Sequence, residues 1–150
     1  MDLSNITYQG PEYQADQEIE SLLPDNLLSL LKQINGFIQF GGGLHVRGLC
    51  NEPEWHSLRA ALFGENAIHK LYPLVEKSDV PFAQDCVADQ YLLRDRTVHK
   101  LFAETGELES LEFACRSVNR REAIYRRSMR HIYQQRPVQP RLDVRYPTWA

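Results

Sequence analysis

Few side chains in this sequence have the types and spacing to do chemistry. Four carboxylates, Asp85, Asp89, Glu104 and Glu107, fall in one short stretch. A pair of carboxylates can divide acid and base roles when their environments push their pKa values apart. These four lie at turns and strand ends, where a solvated or capping role is usual. Two readings stay open for them: solvated turn positions, or an acidic face that steers a basic partner. Catalysis ranks below both, and no residue is assigned a catalytic role. His45, Cys50 and His56 are the closest set of metal-ligating types, but their spacing fits no zinc pattern and no Cys-x-x-Cys exists. No metal and no cofactor are therefore expected. Cys86 with a distant histidine could act as a nucleophile pair. A free cysteine is more often a small buried hydrophobe, so Cys86 is expected in the core. Gly41-Gly42-Gly43 could cradle a phosphate only before a helix N-terminus. Leu44-His45-Val46 follows and reads as strand, so the triplet is expected to be a turn. No serine has the frame of a nucleophile elbow.

The elements that must position these residues can be read from periodicity. Residues 1–22 are poor in large apolar side chains and are broken by Gly10-Pro11. They read as an irregular leader, with a short helical turn near Gln14–Leu22. Pro24 opens the first firm helix as its first residue. Leu27, Leu30, Leu31 and Ile34 share a face, and Asn35-Gly36 ends the helix. Phe37–Phe40 reads as a strand, and Leu44–Arg47 as a strand or turn edge. A second helix over 53–63 has Trp55, Leu58, Ala61 and Leu62 as its apolar stripe and stops at Gly64. Ala67–Leu74 is short and ambiguous.

Residues 80–111 hold three or four consecutive strands: Val80–Gln84, Asp89–Arg94, Thr97–Ala103 and then Glu107–Leu111, which either returns as a strand or leads into a helix. Asp95-Arg96 and Glu104-Thr105-Gly106 supply the turns. Short local connections make an antiparallel meander, and the helices before it make the class α+β, in a single domain. From Leu111 to about Gln134 the pattern becomes helical and rich in arginine, and Gln135–Ala150 reads as an extended tail with three prolines.

The 150-residue chain is 43% apolar and 25% charged, ordinary values for a globular protein. Its N-terminus lacks the basic and apolar regions of a signal peptide, and no apolar run could cross a bilayer. Three widely spaced cysteines suit a reducing compartment, so a cytoplasmic location is expected. The net charge of −3 conceals a split. Residues 1–115 carry 18 acidic and 8 basic side chains, and residues 116–150 carry nine arginines against two acids. The basic segment suggests nucleic-acid contacts, since phosphates are met by Arg and Lys. It could equally fold back on the acidic body or be an unselected C-terminus.

Several segments occur in an order that resembles one known group. LPDNLLSLLKQINGF is followed by GGLHVRG, then VPFAQDCVADQYLLRD and VHKLFAETGELESL. The most specific parts are Pro81-Phe82-Ala83-Gln84-Asp85, Asp89 to Asp95, and Glu104-Thr105-Gly106-Glu107. Across about residues 23–112 the chain resembles the SUKH superfamily, which includes a yeast cell-wall-synthesis regulator and many bacterial immunity proteins. Relatives often carry Gly where Ala88 and Arg96 stand, so both turns are expected to differ locally. After Cys115 the family's ending is no longer visible. The resemblance divides the chain into a leader over 1–22, a SUKH-like domain over 23–115 and an Arg-rich helix and tail over 116–150.

The resemblance implies an α+β fold with a mixed or mainly antiparallel sheet flanked by helices. It implies no enzyme activity. Bacterial members bind a cognate toxin, often a nuclease, and neutralise it. An acidic body suits that role, because proteins that bind nucleic acid tend to be basic. Asp85, Asp89, Glu104 and Glu107 are the candidate partner-binding charges, and Tyr91, Trp55 and Tyr72 the candidate aromatic anchors. A general protein-interaction scaffold is the second reading, and nucleic-acid binding through the Arg-rich tail the third. A hydrolase ranks last.

Overall fold

The computed structural model describes residues 2–114. The expected helix beyond Ala114, the tail over 116–150 and Cys115 lie outside the described residues.

Among the described residues seven strands form one sheet in simple chain order, and every neighbouring pair is antiparallel. They are β1 (Ile6–Gln9), β2 (Phe37–Gln39), β3 (Leu44–Val46), β4 (Val80–Gln84), β5 (Gln90–Arg94), β6 (Thr97–Leu101) and β7 (Leu108–Ala114). Among the described residues the one parallel contact is an isolated bridge between Gly48 and Ser57. The helices are short: α1 (Gln17–Glu20), α2 (Asp25–Gln33), α3 (Leu58–Phe63) and α4 (Ile68–Leu71), with a 3-10 turn at Glu54–His56. The architecture is therefore an antiparallel sheet with a few short helices, and the strands are not mixed in direction.

Residues paired across antiparallel strands share a face, so register assigns each side chain. One face carries Phe37, Val46, Ala83, Tyr91 and Lys100 in a row. Leu31 of α2, Ile19 of α1 and Leu58 and Leu62 of α3 pack into the cluster with Phe37, Val46, Ala83 and Tyr91. Phe37, Leu31, Leu58 and Leu62 are almost wholly buried, each contributing roughly 1.5–3 kcal/mol by leaving water. The opposite face carries Tyr8, Ile38, His45, Gln84, Gln90 and Leu101. At β5–β7, Val75, Ile68 and Tyr72 pack on Leu92, Leu101 and Leu108 of this face.

The leader is not irregular. Ile6–Gln9 pairs with β2 and makes an edge strand with a bulge between Ile6 and Tyr8. Only Ile6 and Tyr8 are half-buried, while Thr7 and Gln9 are exposed. An edge strand with so little apolar surface leaves a weak sequence signal. The helical turn expected after it is α1, and the Asp16 carboxylate accepts from Ile19 N at 3.3 Å to cap it. Pro24 stands at the N-cap of α2, one position earlier than expected.

The helix expected over 53–63 is two pieces. Ser57 sits between them in extended conformation, accepts from Ala60 N at 3.1 Å and donates to Cys50 O at 2.6 Å. A serine N-cap inside the run restarts the helix, and Trp55 is thereby removed from the apolar stripe. Over 80–111 the meander matches the expectation, with Gly106 at φ +73 in the last turn. The final segment is a strand through Ala114, so the helical reading that began at Leu111 is wrong for residues 111–114.

Two turns keep a glycine-type backbone without glycine. Ala88 has φ +66 and Arg96 φ +63, with Asp95 at φ +48. The left-handed conformation is held by residues with side chains, which bear its cost.

Candidate functional site

The sequence singled out seven surface candidates, and the structure separates them into three places. Asp85, Asp89 and Tyr91 lie together and inside. Asp85 and Asp89 are each 8% exposed and Tyr91 is 4% exposed. A cation that sequence reasoning missed holds them. The Lys100 ammonium is 3.4 Å from Asp85 Oδ2 and 3.1 Å from Asp89 Oδ2, and it sits 5.9 Å from the Tyr91 ring centre and 5.0 Å from that of Phe102.

The other carboxylate oxygens are also occupied. Asp85 Oδ1 accepts from Val87 N and Asp89 N, and Asp89 Oδ1 accepts from Ala103 N at 2.8 Å. The three charges thus brace the β4–β5 turn against the chain leaving β6. Asp85 and Asp89 are neither solvated turn charges nor an acidic face, and Tyr91 is not an exposed anchor. Burial and then the nearby aspartates push the Tyr91 hydroxyl's pKa up. Cys86 is exposed on the same turn, contrary to its expected place in the core, because the chain reverses there and points it outward.

Glu104 and Glu107 are exposed on the β6–β7 turn. Tyr72 is half-buried and donates to Ala103 O at 3.2 Å, so it anchors this turn to the segment after α4. Leu71 and Leu74 on either side are each 56% exposed.

Trp55 stands apart from both groups. Its indole is 53% exposed, although Tyr8, His45 and His56 hold ring centres 5.0, 5.3 and 5.5 Å from it. Glu52 and Glu54 precede it in the chain and are exposed. The support beneath is rigid and polar. His56 Nε2 lies 2.9 Å from Asn35 O, a pure acceptor, so it donates there. His56 Nδ1 is then the acceptor for His45 Nε2–H, also at 2.9 Å. Asn35 in turn donates to Pro11 O, Glu12 O and Leu49 O and accepts from Leu49 N at 2.7 Å. The close approach depends on Gly10, where a Cβ would fall 1.8 Å from Asn35 O and 2.5 Å from His56 Nε2.

Both histidines are held neutral. Burial, then the Arg47 cation and His56, pull the His45 pKa down to about 3. Burial is also the main cause for His56, whose pKa is lowered. Among the described residues no group of three or more His, Cys, Asp or Glu is placed to hold a metal ion. The histidine pair recognised in the sequence is spent on this hydrogen-bonded relay. Beside it Arg47, 6% exposed, donates to Pro81 O, Gln84 Oε1 and Gln90 Oε1. Burial lowers its pKa to about 10.

No family model, no curated protein and no solved structure matches this chain. Among the described residues no helix is long and apolar enough to cross a membrane.

Proposed function

We infer that this protein is a cytoplasmic immunity protein, with an α+β fold of the SUKH kind, that binds a basic cognate toxin by surface complementarity and neutralises it without catalysis. The observation that carries this reading is Trp55: a large indole left 53% exposed on a rigid aromatic base, on a body with 18 acidic and 8 basic side chains. Rigid exposed aromatics are the commonest anchors of tight interfaces, and net opposite charge speeds capture. Glu104 and Glu107 add to the acidic field from the far edge of the sheet. The two buried aspartates leave the proposed contact set, since Lys100 and backbone N–H groups already engage them.

Co-expression tests the reading. The C-terminal effector domain encoded by a neighbouring toxin gene is produced with and without this protein. Survival only in its presence, with a complex whose association slows as salt is raised, is the expected result. Failure to rescue against every neighbouring toxin sinks it.

A further inference from the structure

We propose that the Trp55 platform is an arginine-receiving site: the indole takes a guanidinium of the partner on its open side, and Glu52 and Glu54 supply the countercharge. The proposal rests on the binding reading above and names the chemistry of its central contact. Three observations converge. First, Tyr8, His45 and His56 lie within 5.5 Å of the indole, yet half of its surface stays open. A supported indole cannot swing inward to hide, so its open part is presented ready-made. Second, Glu54 immediately before Trp55 and Glu52 three residues before it are exposed carboxylates, and neither makes an ion pair among the described residues. Third, among the described residues two cations near Trp55 in the sequence are already engaged. Arg47 is buried under its carbonyl and glutamine acceptors, and Arg59 pairs with Asp16 at 2.7 Å and Glu18 at 3.2 Å.

A planar, weakly hydrated cation stacks on an indole while its N–H groups reach carboxylates. An ammonium satisfies the charge but not the stacking. An aliphatic side chain satisfies neither carboxylate. Arginine is the side chain that uses every part of the site.

Trp55 reports on its own occupancy. The sequence has only one other tryptophan, Trp149, so Trp149→Phe leaves a single-tryptophan full-length protein. It is titrated with a blocked peptide alternating glycine and arginine, and with the lysine peptide of equal length and charge. The expected result is a saturable change in Trp55 emission with the arginine peptide and weaker binding of the lysine peptide. By polarisation of labelled peptide, Trp55→Leu, which keeps apolar bulk without the π-face, loses about tenfold in affinity. Glu52→Gln with Glu54→Gln loses a similar factor.

Equal binding of both peptides, or unchanged affinity in Trp55→Leu, overturns the proposal and leaves only diffuse acidity. Emission already shielded from acrylamide and unmoved by peptide also overturns it, and assigns the site to the chain's own arginines. Rescue from a toxin by Trp55→Leu at wild-type strength removes the arginine contact and spares the immunity function. Peptide selectivity without any toxin rescue does the reverse.

Discussion

The Lys100 ammonium lies 3.1 Å from the Asp89 carboxylate, with both side chains nearly shut off from solvent at 5% and 11% exposure. Asp85 completes the cluster at 3.4 Å. Removing the cation strands two buried carboxylates. Lys100→Met is expected to cost about 3–5 kcal/mol of stability, read as a lower urea midpoint. Adding Asp85→Asn and Asp89→Asn to that variant should recover much of the loss. An unchanged midpoint in Lys100→Met would show that water reaches the cluster.

Stability should fall with acid because of the histidine relay. Unfolded histidines protonate near 6.5, whereas folded His45 resists until about 3 and His56 is also shifted down. Below 6.5 the unfolded chain therefore binds more protons, and stability present above that pH is lost as pH falls toward 3. Each such histidine contributes a slope of about 1.4 kcal/mol per pH unit. Urea midpoints from pH 7 to pH 5 check this, and His45→Gln should make the decline shallower. A flat profile over that window would contradict the buried, neutral pair.

Ala88→Gly and Arg96→Gly should each stabilise the protein. Both residues hold left-handed backbone, which costs a side-chain-bearing residue about 1–2 kcal/mol, while glycine returns roughly 0.5–1 kcal/mol of that as extra unfolded-state entropy. A net gain of about 0.5–1 kcal/mol per site is expected as a rise in Tm. Arg96→Gly also places Asp-Gly at a two-residue hairpin turn, the sequence most favourable there.

Asn35→Ala is expected to be far more damaging than its size suggests. It leaves Leu49 N and three carbonyl oxygens without their side-chain partner. Buried groups left unsatisfied cost about 1–3 kcal/mol each. Guanidinium denaturation should show a loss of at least that size, with Trp55 emission shifting as its base loosens.

The meander was legible because short runs with Val80 and Phe82, then Tyr91 to Leu93, then Val98 and Leu101 are separated by the turns Asp-Arg and Glu-Thr-Gly. Helix α2 was legible from four apolar residues at helical spacing. The leader's strand was not, because its pairing energy comes from β2 rather than from its own side chains. Lys100 escaped notice for a related reason: a lysine in a strand reads as solvent-facing until distant turn carboxylates are seen beside it. Trp55 was singled out, but as both stripe residue and anchor. Ser57 takes it out of the stripe, and its capping role was visible in the sequence. His45 and His56 were noticed with Cys50 as a set whose spacing fits no zinc pattern, but nothing in their spacing showed the hydrogen bond that joins the two histidines.

Arg47 has one more consequence. Only two registered residue pairs, His45 with Gln84 and Val46 with Ala83, join β3 to β4. Across that short seam Arg47 N donates to Phe82 O, and its guanidinium reaches Pro81, Gln84 and Gln90 on the far side. The residue is thus a rivet between an N-terminal three-stranded leaf and a C-terminal four-stranded one. Amide hydrogen exchange that opens these leaves separately would begin along this line, and slackening the rivet would free each leaf before either unfolds.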